Sequence, residues 1–190
     1  MISFFVLTHG QVVKKSGTSK RELSLSENGA VQSISIAPVL EDLNLDFVFC
    51  SPYLHCRETV TPYIQKTSML MNIHQGLKDF DFLEDRDHLS EQEWHASLKV
   101  QTRLSKTLQQ IAENHEDARI LLSTHSSVLS VLLKLADPEI SFAEAQELNG
   151  PVMYHLVLDG EKLRVEEKCR LPIIHLSLLE SPLAAEIISK

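Results

Sequence analysis

Ile2-Ser3-Phe4-Phe5-Val6-Leu7-Thr8-His9-Gly10 is a short apolar run closed by a histidine and a glycine. A continuous apolar stretch of this length reads as a strand buried on both faces. Its end delivers an imidazole into a glycine turn, which is how a sheet presents a nucleophilic histidine. Residues 118–123 repeat the pattern, as a strand running into Thr124-His125-Ser126. Between the two, residues 46–50 form another strand, followed by Ser51-Pro52. There serine suits a helix cap and proline the first helical position. In open α/β sheets, sites form outside the carboxyl ends of the strands. Three strand ends here carry reactive residues.

The remaining segments alternate in the same way. Residues 26–43 have a helical apolar pattern opened by Ser26 as cap, with Pro38 as a weak point. Residues 68–73 read as a third strand. Residues 90–114 read as the longest helix, with a stripe of Trp94, Leu98, Val100, Leu104, Leu108 and Ile111. Trp94 is expected to anchor that helix. Residues 126–135 read as a helix, and residues 152–158 and 163–168 flank Asp159-Gly160, a short-hairpin signal. The expected fold is a three-layer α/β sandwich. It has a mostly parallel central sheet, helices on both faces and an antiparallel hairpin near the C-terminal end.

The chain has 190 residues, 43% hydrophobic and 23% charged, as expected for one soluble globular domain. Its net charge of −8 argues against nucleic-acid binding through phosphate attraction and leaves an anionic ligand dependent on local cations. No run approaches the roughly 20 apolar residues of a membrane span. The opening segment lacks the basic flank of a secretory signal, so a cytoplasmic location is expected. Cys50, Cys56 and Cys169 form no CxxC pair, and neither a disulfide framework nor a zinc site is expected. From residue 171 the tail is rich in leucine and isoleucine, and packs either on its own domain or in a homodimer contact.

Five ordered blocks carry a family resemblance. Thr8-His9-Gly10 is similar to an Arg-His-Gly motif, and the stretch from Glu22 to Gln32 to Asp-x-Pro-Leu-Thr-x-x-Gly-x-x-Gln. Ser51-Pro52-Tyr53-Leu54-His55-Cys56-Arg57-Glu58-Thr59 is similar to Ser-Pro-x-x-Arg-Ala-x-x-Thr. Leu77-Lys78-Asp79-Phe80-Asp81-Phe82 matches an acid-bearing block, and His125 a second histidine. Together they resemble the histidine phosphatase superfamily, the phosphoglycerate-mutase-like enzymes. The resemblance implies a phosphoric monoester hydrolase in which His9 forms a phosphohistidine. It also implies that His125 hydrogen-bonds the transferring oxygens and Asp79 protonates the leaving group. Gly10, Ser51 and Ser126 fall in the matching substrate-binding blocks. No cofactor and no metal are implied. The expected partner is a small phosphorylated substrate or a phosphoprotein.

The departures fall on the cations that phosphoryl transfer relies on. Thr8 stands for the first arginine of the family pattern and His55 for the second. Losing one preorganised charge costs about 10²–10³ in rate. Arg57 cannot stand in, because two residues along a helix is about 200° around its axis. His55 itself if protonated, the amides of its helix, and the loop cations Lys14, Lys15, Lys20 and Arg21 are the candidate replacements. Lys15 is the best placed of the loop cations, since relatives often carry a phosphate-contacting asparagine there. Asp81 and Glu84 remain alternatives to Asp79 as the acid. His74, His88, His95, His115, His155 and His175 are expected at the surface or in packing. A weakened phosphatase is one reading, and a phosphatase-fold module binding an anion or a protein is the other. A generic α/β domain with structural histidines would need five ordered matches by chance.

Overall fold

Alternation of apolar side chains across β1 (Ile2–Thr8) divides the protein into two cores. Phe4 and Val6 face one side of the sheet and Phe5 and Leu7 the other, all of them buried. The computed structural model describes residues 1–13, 17–83, 88–146, 148 and 150–172. The expected apolar tail beyond residue 172 therefore lies outside the described residues.

After β1, the chain forms α1 (Glu27–Asp42), β2 (Phe47–Cys50), α2 (Leu54–Thr67) and β3 (Met71–Ile73). It continues through α3 (Glu91–His95), α4 (Leu98–Ala112), β4 (Arg119–Thr124), α5 (Ser126–Ala136) and α6 (Phe142–Gln146), and closes with β5 (Met153–Asp159) and β6 (Lys162–Cys169). The strand order is β3-β2-β4-β1-β5-β6. β3, β2, β4 and β1 are parallel, while β5 runs antiparallel to β1 and β6 antiparallel to β5. This is the mixed α/β sheet with a terminal hairpin that the alternating pattern predicts. Asp159 pairs with Lys162 around Gly160, whose φ of +59° suits the first central position of a two-residue turn.

Helices α1 and α2 cover one face, where Ile36, Leu40, Val60 and Tyr63 meet Phe5, Leu7 and Leu121. Helices α3, α4 and α5 cover the other, where Trp94, Leu104, Leu108 and Ile111 meet Phe4, Val6, Ile120 and Leu122. Ser26 caps α1 as expected, accepting from the Gly29 amide at 3.1 Å. Pro38 sits on its solvent side without ending the helix. Pro62 lies inside α2 and has no amide hydrogen, so the Glu58 carbonyl lacks a partner within the helix. Ser33 Oγ on α1 spans this gap, 3.1 Å from the Glu58 carbonyl and 2.8 Å from that of Thr59.

Two sequence expectations are corrected. The segment 90–114 is not one helix. The buried Ser97 separates α3 from α4, its hydroxyl donating to the Trp94 carbonyl at 2.6 Å, and Leu98 is left exposed. Trp94 therefore anchors α3, donating from its indole to the Ser130 carbonyl at 3.2 Å. The helix after β2 starts not at Ser51-Pro52 but at Leu54, with Tyr53 at the cap position. The Ser51 hydroxyl accepts from the Tyr53 amide at 3.4 Å and lies 2.8 Å from His125 Nε2. Among the described residues, no helix is long and apolar enough to cross a membrane.

Candidate active site

The parallel register of β1 and β4 sets Leu7 beside Ser123 and Thr8 beside Thr124, so His9 and His125 leave the sheet at one level. The His9 amide donates to the Thr124 carbonyl at 3.2 Å, which ties the two strand ends together. On the other side of β4, Cys50 pairs with Ser123, and the Ser51 amide donates to the Ser123 carbonyl at 2.9 Å. The first turn of α2 then brings in His55. The result is a three-imidazole cluster at the carboxyl end of the sheet. The centroid of His9 lies 4.3 Å from that of His55 and 5.4 Å from that of His125, and His55 and His125 are 5.3 Å apart. Every pair meets edge to face. His55 and His125 are each 1% exposed, while His9 is half-buried at the mouth.

Hydrogen bonds fix the ring orientations. A carbonyl can only accept, so His9 Nδ1 carries a hydrogen and donates to the Gly10 carbonyl at 2.9 Å. Neutral His9 therefore presents the lone pair of Nε2. The same logic applies to His55, whose Nδ1 donates to the Leu23 carbonyl at 3.1 Å. His55 Nε2 lies 3.5 Å from His125 Nδ1, so His125 Nδ1 is the donor of that pair and its Nε2 accepts from Ser51 Oγ. Burial, together with the charges of His9, His55, Lys20 and Arg103, holds the His125 imidazole well below its ordinary pKa. His125 is therefore neutral at pH 7 and contributes hydrogen bonds rather than charge.

The acid lies beside this cluster. Asp79 is 1% exposed and accepts from the Ser127 hydroxyl and, at 2.9 Å, from the Phe80 amide. Its other oxygen lies 2.7 Å from Lys20 Nζ, and the two side chains are nearly inaccessible to solvent. Lys20 also donates to the Leu83 carbonyl at 3.1 Å. Of the loop cations weighed from the sequence, Lys20 is thus brought to the acid. Arg21 is exposed and pairs with Asp81 at 3.3 Å, and Lys14 and Lys15 lie outside the described residues. Arg57 faces solvent, as the helical angle requires. Asp81 is exposed and bound to Lys78 at 2.9 Å, while Glu84 lies outside the described residues.

The other expected site residues divide. Gly10 lies at the pocket, its amide donating to Thr59 Oγ1 at 3.0 Å, and Ser51 touches His125 directly. Ser126 opens α5 and is half-buried. Thr8 is not brought to the pocket. Its hydroxyl accepts from the Val152 amide at 2.9 Å and donates toward the Gly150 and Val152 carbonyls, so it fastens β1 to the start of β5.

The histidine phosphatase superfamily (branch 1) model matches residues 4–168, which include every block of the site. The chain belongs to the histidine phosphatase superfamily. A Schizosaccharomyces pombe protein named "Probable phosphatase" is 36% identical over 64 residues. That alignment covers 32% of this chain and 31% of the relative, so the chain spans about a third of the curated relative it matches. Bacillus stearothermophilus YhfR has a similar fold, with a TM-score of 0.70 at 17% identity over 87% of this chain and 96% of that one. So does a mycobacterial glucosyl-3-phosphoglycerate phosphatase in complex with VO3, with a TM-score of 0.65 at 18% identity over 86% of this chain and 96% of that one.

Two residues of this histidine phosphatase site escape sequence reasoning. Ser127 braces Asp79 from the first turn of α5, and its place two residues after His125 is the signal that could have found it. Arg103 arrives from α4, donating to the Lys78 carbonyl at 2.9 Å and lying 5.1 Å from the Phe80 ring centre. Nothing in the local sequence marks it, because its approach depends on the packing of α4.

Proposed function

We propose that the protein hydrolyses phosphate monoesters of small metabolites or phosphoproteins through a phosphohistidine on His9. The observation that carries this reading is the His9 Nδ1–Gly10 bond, which orients Nε2 as the nucleophilic atom beside His125. Once Lys20 turns away, the Asp79 carboxylate binds a proton from solvent; Nε2 then attacks phosphorus as the ester P–O bond breaks, and the leaving oxygen takes that proton from the Asp79 carboxyl. The Asp79 carboxylate then takes a proton from water. That water attacks phosphorus, the N–P bond breaks, and phosphate leaves. His125 supplies a hydrogen bond to a phosphoryl oxygen from Nδ1, His55 does so from Nε2 in its protonated form, and Lys20 supplies charge when it turns from Asp79.

The buried Lys20–Asp79 pair favours a second reading, a module that binds an anion without turnover, because it occupies both the acid and the nearby cation. Assay of a generic aryl phosphate between pH 4 and 9, with acid-labile phosphohistidine detected by mass spectrometry, separates the two. Turnover and a phospho-His9 adduct, both lost in His9→Ala, are expected. Equal background rates in both proteins would overturn the catalytic reading in favour of the binding module.

A further inference from the structure

We propose that His9, His55 and His125 together form a binding site for a divalent transition-metal ion, with Zn²⁺ the best match to three imidazoles. One ligating nitrogen from each histidine can be chosen so that all three lie within 4.8 Å of one another. At Zn–N bonds of about 2.0–2.1 Å, tetrahedral ligands stand about 3.3 Å apart. His55 Nε2 and His125 Nδ1 are already 3.5 Å apart. The remaining closure falls to His9, the half-buried ring of the three.

The surroundings of the rings match those of metal ligands. A ligating histidine usually donates its other ring hydrogen to a carbonyl or carboxylate, which fixes its orientation. His9 and His55 both do this, through the Gly10 and Leu23 carbonyls, so that Nε2 is the ligating atom in each. His125 ligates through Nδ1 once its hydrogen moves to Nε2, where Ser51 Oγ turns from donor to acceptor. Three neutral imidazoles then bind the ion with no net release of protons. The edge-to-face arrangement leaves each ring edge able to turn toward one point. Lys20 and Arg103 oppose a cation here, but Asp79 is paired with Lys20 at 2.7 Å, and Asp79 and Asp81 both act on Arg103. Three protein ligands leave the fourth position open to water or an anion.

The consequence for activity rests on the phosphohistidine reading: an ion on His9 Nε2 occupies the nucleophile's lone pair and blocks attack. No short spacing links the three ligands, which is why the sequence carries no metal signature. Of the two departures from the family pattern, the one at position 55 supplies the third ligand, since an arginine there could not ligate.

Titration of tag-free, metal-stripped protein with Zn²⁺ by calorimetry tests the site, alongside the visible absorption of bound Co²⁺. One ion per chain is expected, with the Co²⁺ bands of a four-coordinate site. His55→Gln and His9→Ala should each weaken binding by more than the ~10–100-fold that loss of an outer-shell partner produces. His95→Ala, on the exposed face of α3, should leave binding unchanged. If His55→Gln does not fold, His9→Ala decides, because that ring is half-buried. Binding that survives either ligand substitution, or no binding to the wild type, would overturn the proposal. Metal binding is read without turnover, so a protein that is inactive when metal-stripped yet binds Zn²⁺ refutes the phosphatase reading and leaves the metal site standing. An active protein that binds none does the reverse.

Discussion

Replacing Lys20 with methionine removes the cation from a buried ion pair while keeping a side chain of similar reach. Lys20 and Asp79 have side-chain exposures of 9% and 2%, and lie 2.7 Å apart. Deleting one member of such a pair costs about 3–5 kcal/mol, because the other charge stays buried. Asp79 retains Ser127 and the Phe80 amide, so the lower end applies, about 3 kcal/mol. For a chain of 190 residues this corresponds to a melting temperature lower by about 6–12 °C. Urea unfolding followed through the single tryptophan, Trp94, measures it. Lys20→Met/Asp79→Asn should be more stable than the sum of the single changes by about 1–2 kcal/mol, since asparagine needs no cation and still accepts both hydrogen bonds. A Lys20→Met loss below about 1 kcal/mol, the range of a surface pair, would refute the buried latch. So would strict additivity in the double variant.

Two further outcomes are expected. A Cβ on Gly29 would lie 2.1 Å from the Gln11 carbonyl, so Gly29→Ala should destabilise by about 2 kcal/mol despite a helix-propensity gain of about 1 kcal/mol; a melting temperature equal to or above wild type contradicts this. Burial pushes the Cys50 thiol up to about 12, Cys169 to about 11 and Cys56 well above its ordinary value, so at pH 8 about 10⁻⁴ of Cys50 is thiolate. A chromogenic disulfide reagent should therefore react slowly with the native protein and rapidly with all three thiols in guanidinium, and a fast native burst of one thiol or more contradicts this.

The sheet and the two strand-end histidines were legible because each rests on local pattern, an apolar run followed by Thr-His. The Ser26 cap and the Asp159-Gly160 hairpin were legible for the same reason. What local pattern cannot carry is the choice among competing partners. Ser51 reads as a helix cap, but its hydroxyl also donates to His125, 74 residues away, a partner that local pattern does not show. Nothing near Lys20 in the sequence marks it as the partner of Asp79, which it reaches because α2 holds the following segment. Glu58 accepts from the Ser24 hydroxyl and the Leu25 amide, and His55 accepts the role of donor to Leu23. Arg103 and the break at Ser97 depend on how α3 and α4 meet the sheet, which no short window encodes.

Helix α2 has a part in several connections around the pocket. It supplies His55 to the pocket, Thr59 to the Gly10 amide beside the nucleophile, and Glu58 to the segment after Lys20. Ser33 in turn fastens α1 to α2 where Pro62 interrupts its ladder. The two helices and the pocket therefore form one cooperative unit, which should open together or stay closed. Amide hydrogen exchange along α1, α2 and the residues after His9 should share a common opening free energy, and slackening at the α1–α2 seam should reach the nucleophile without touching it.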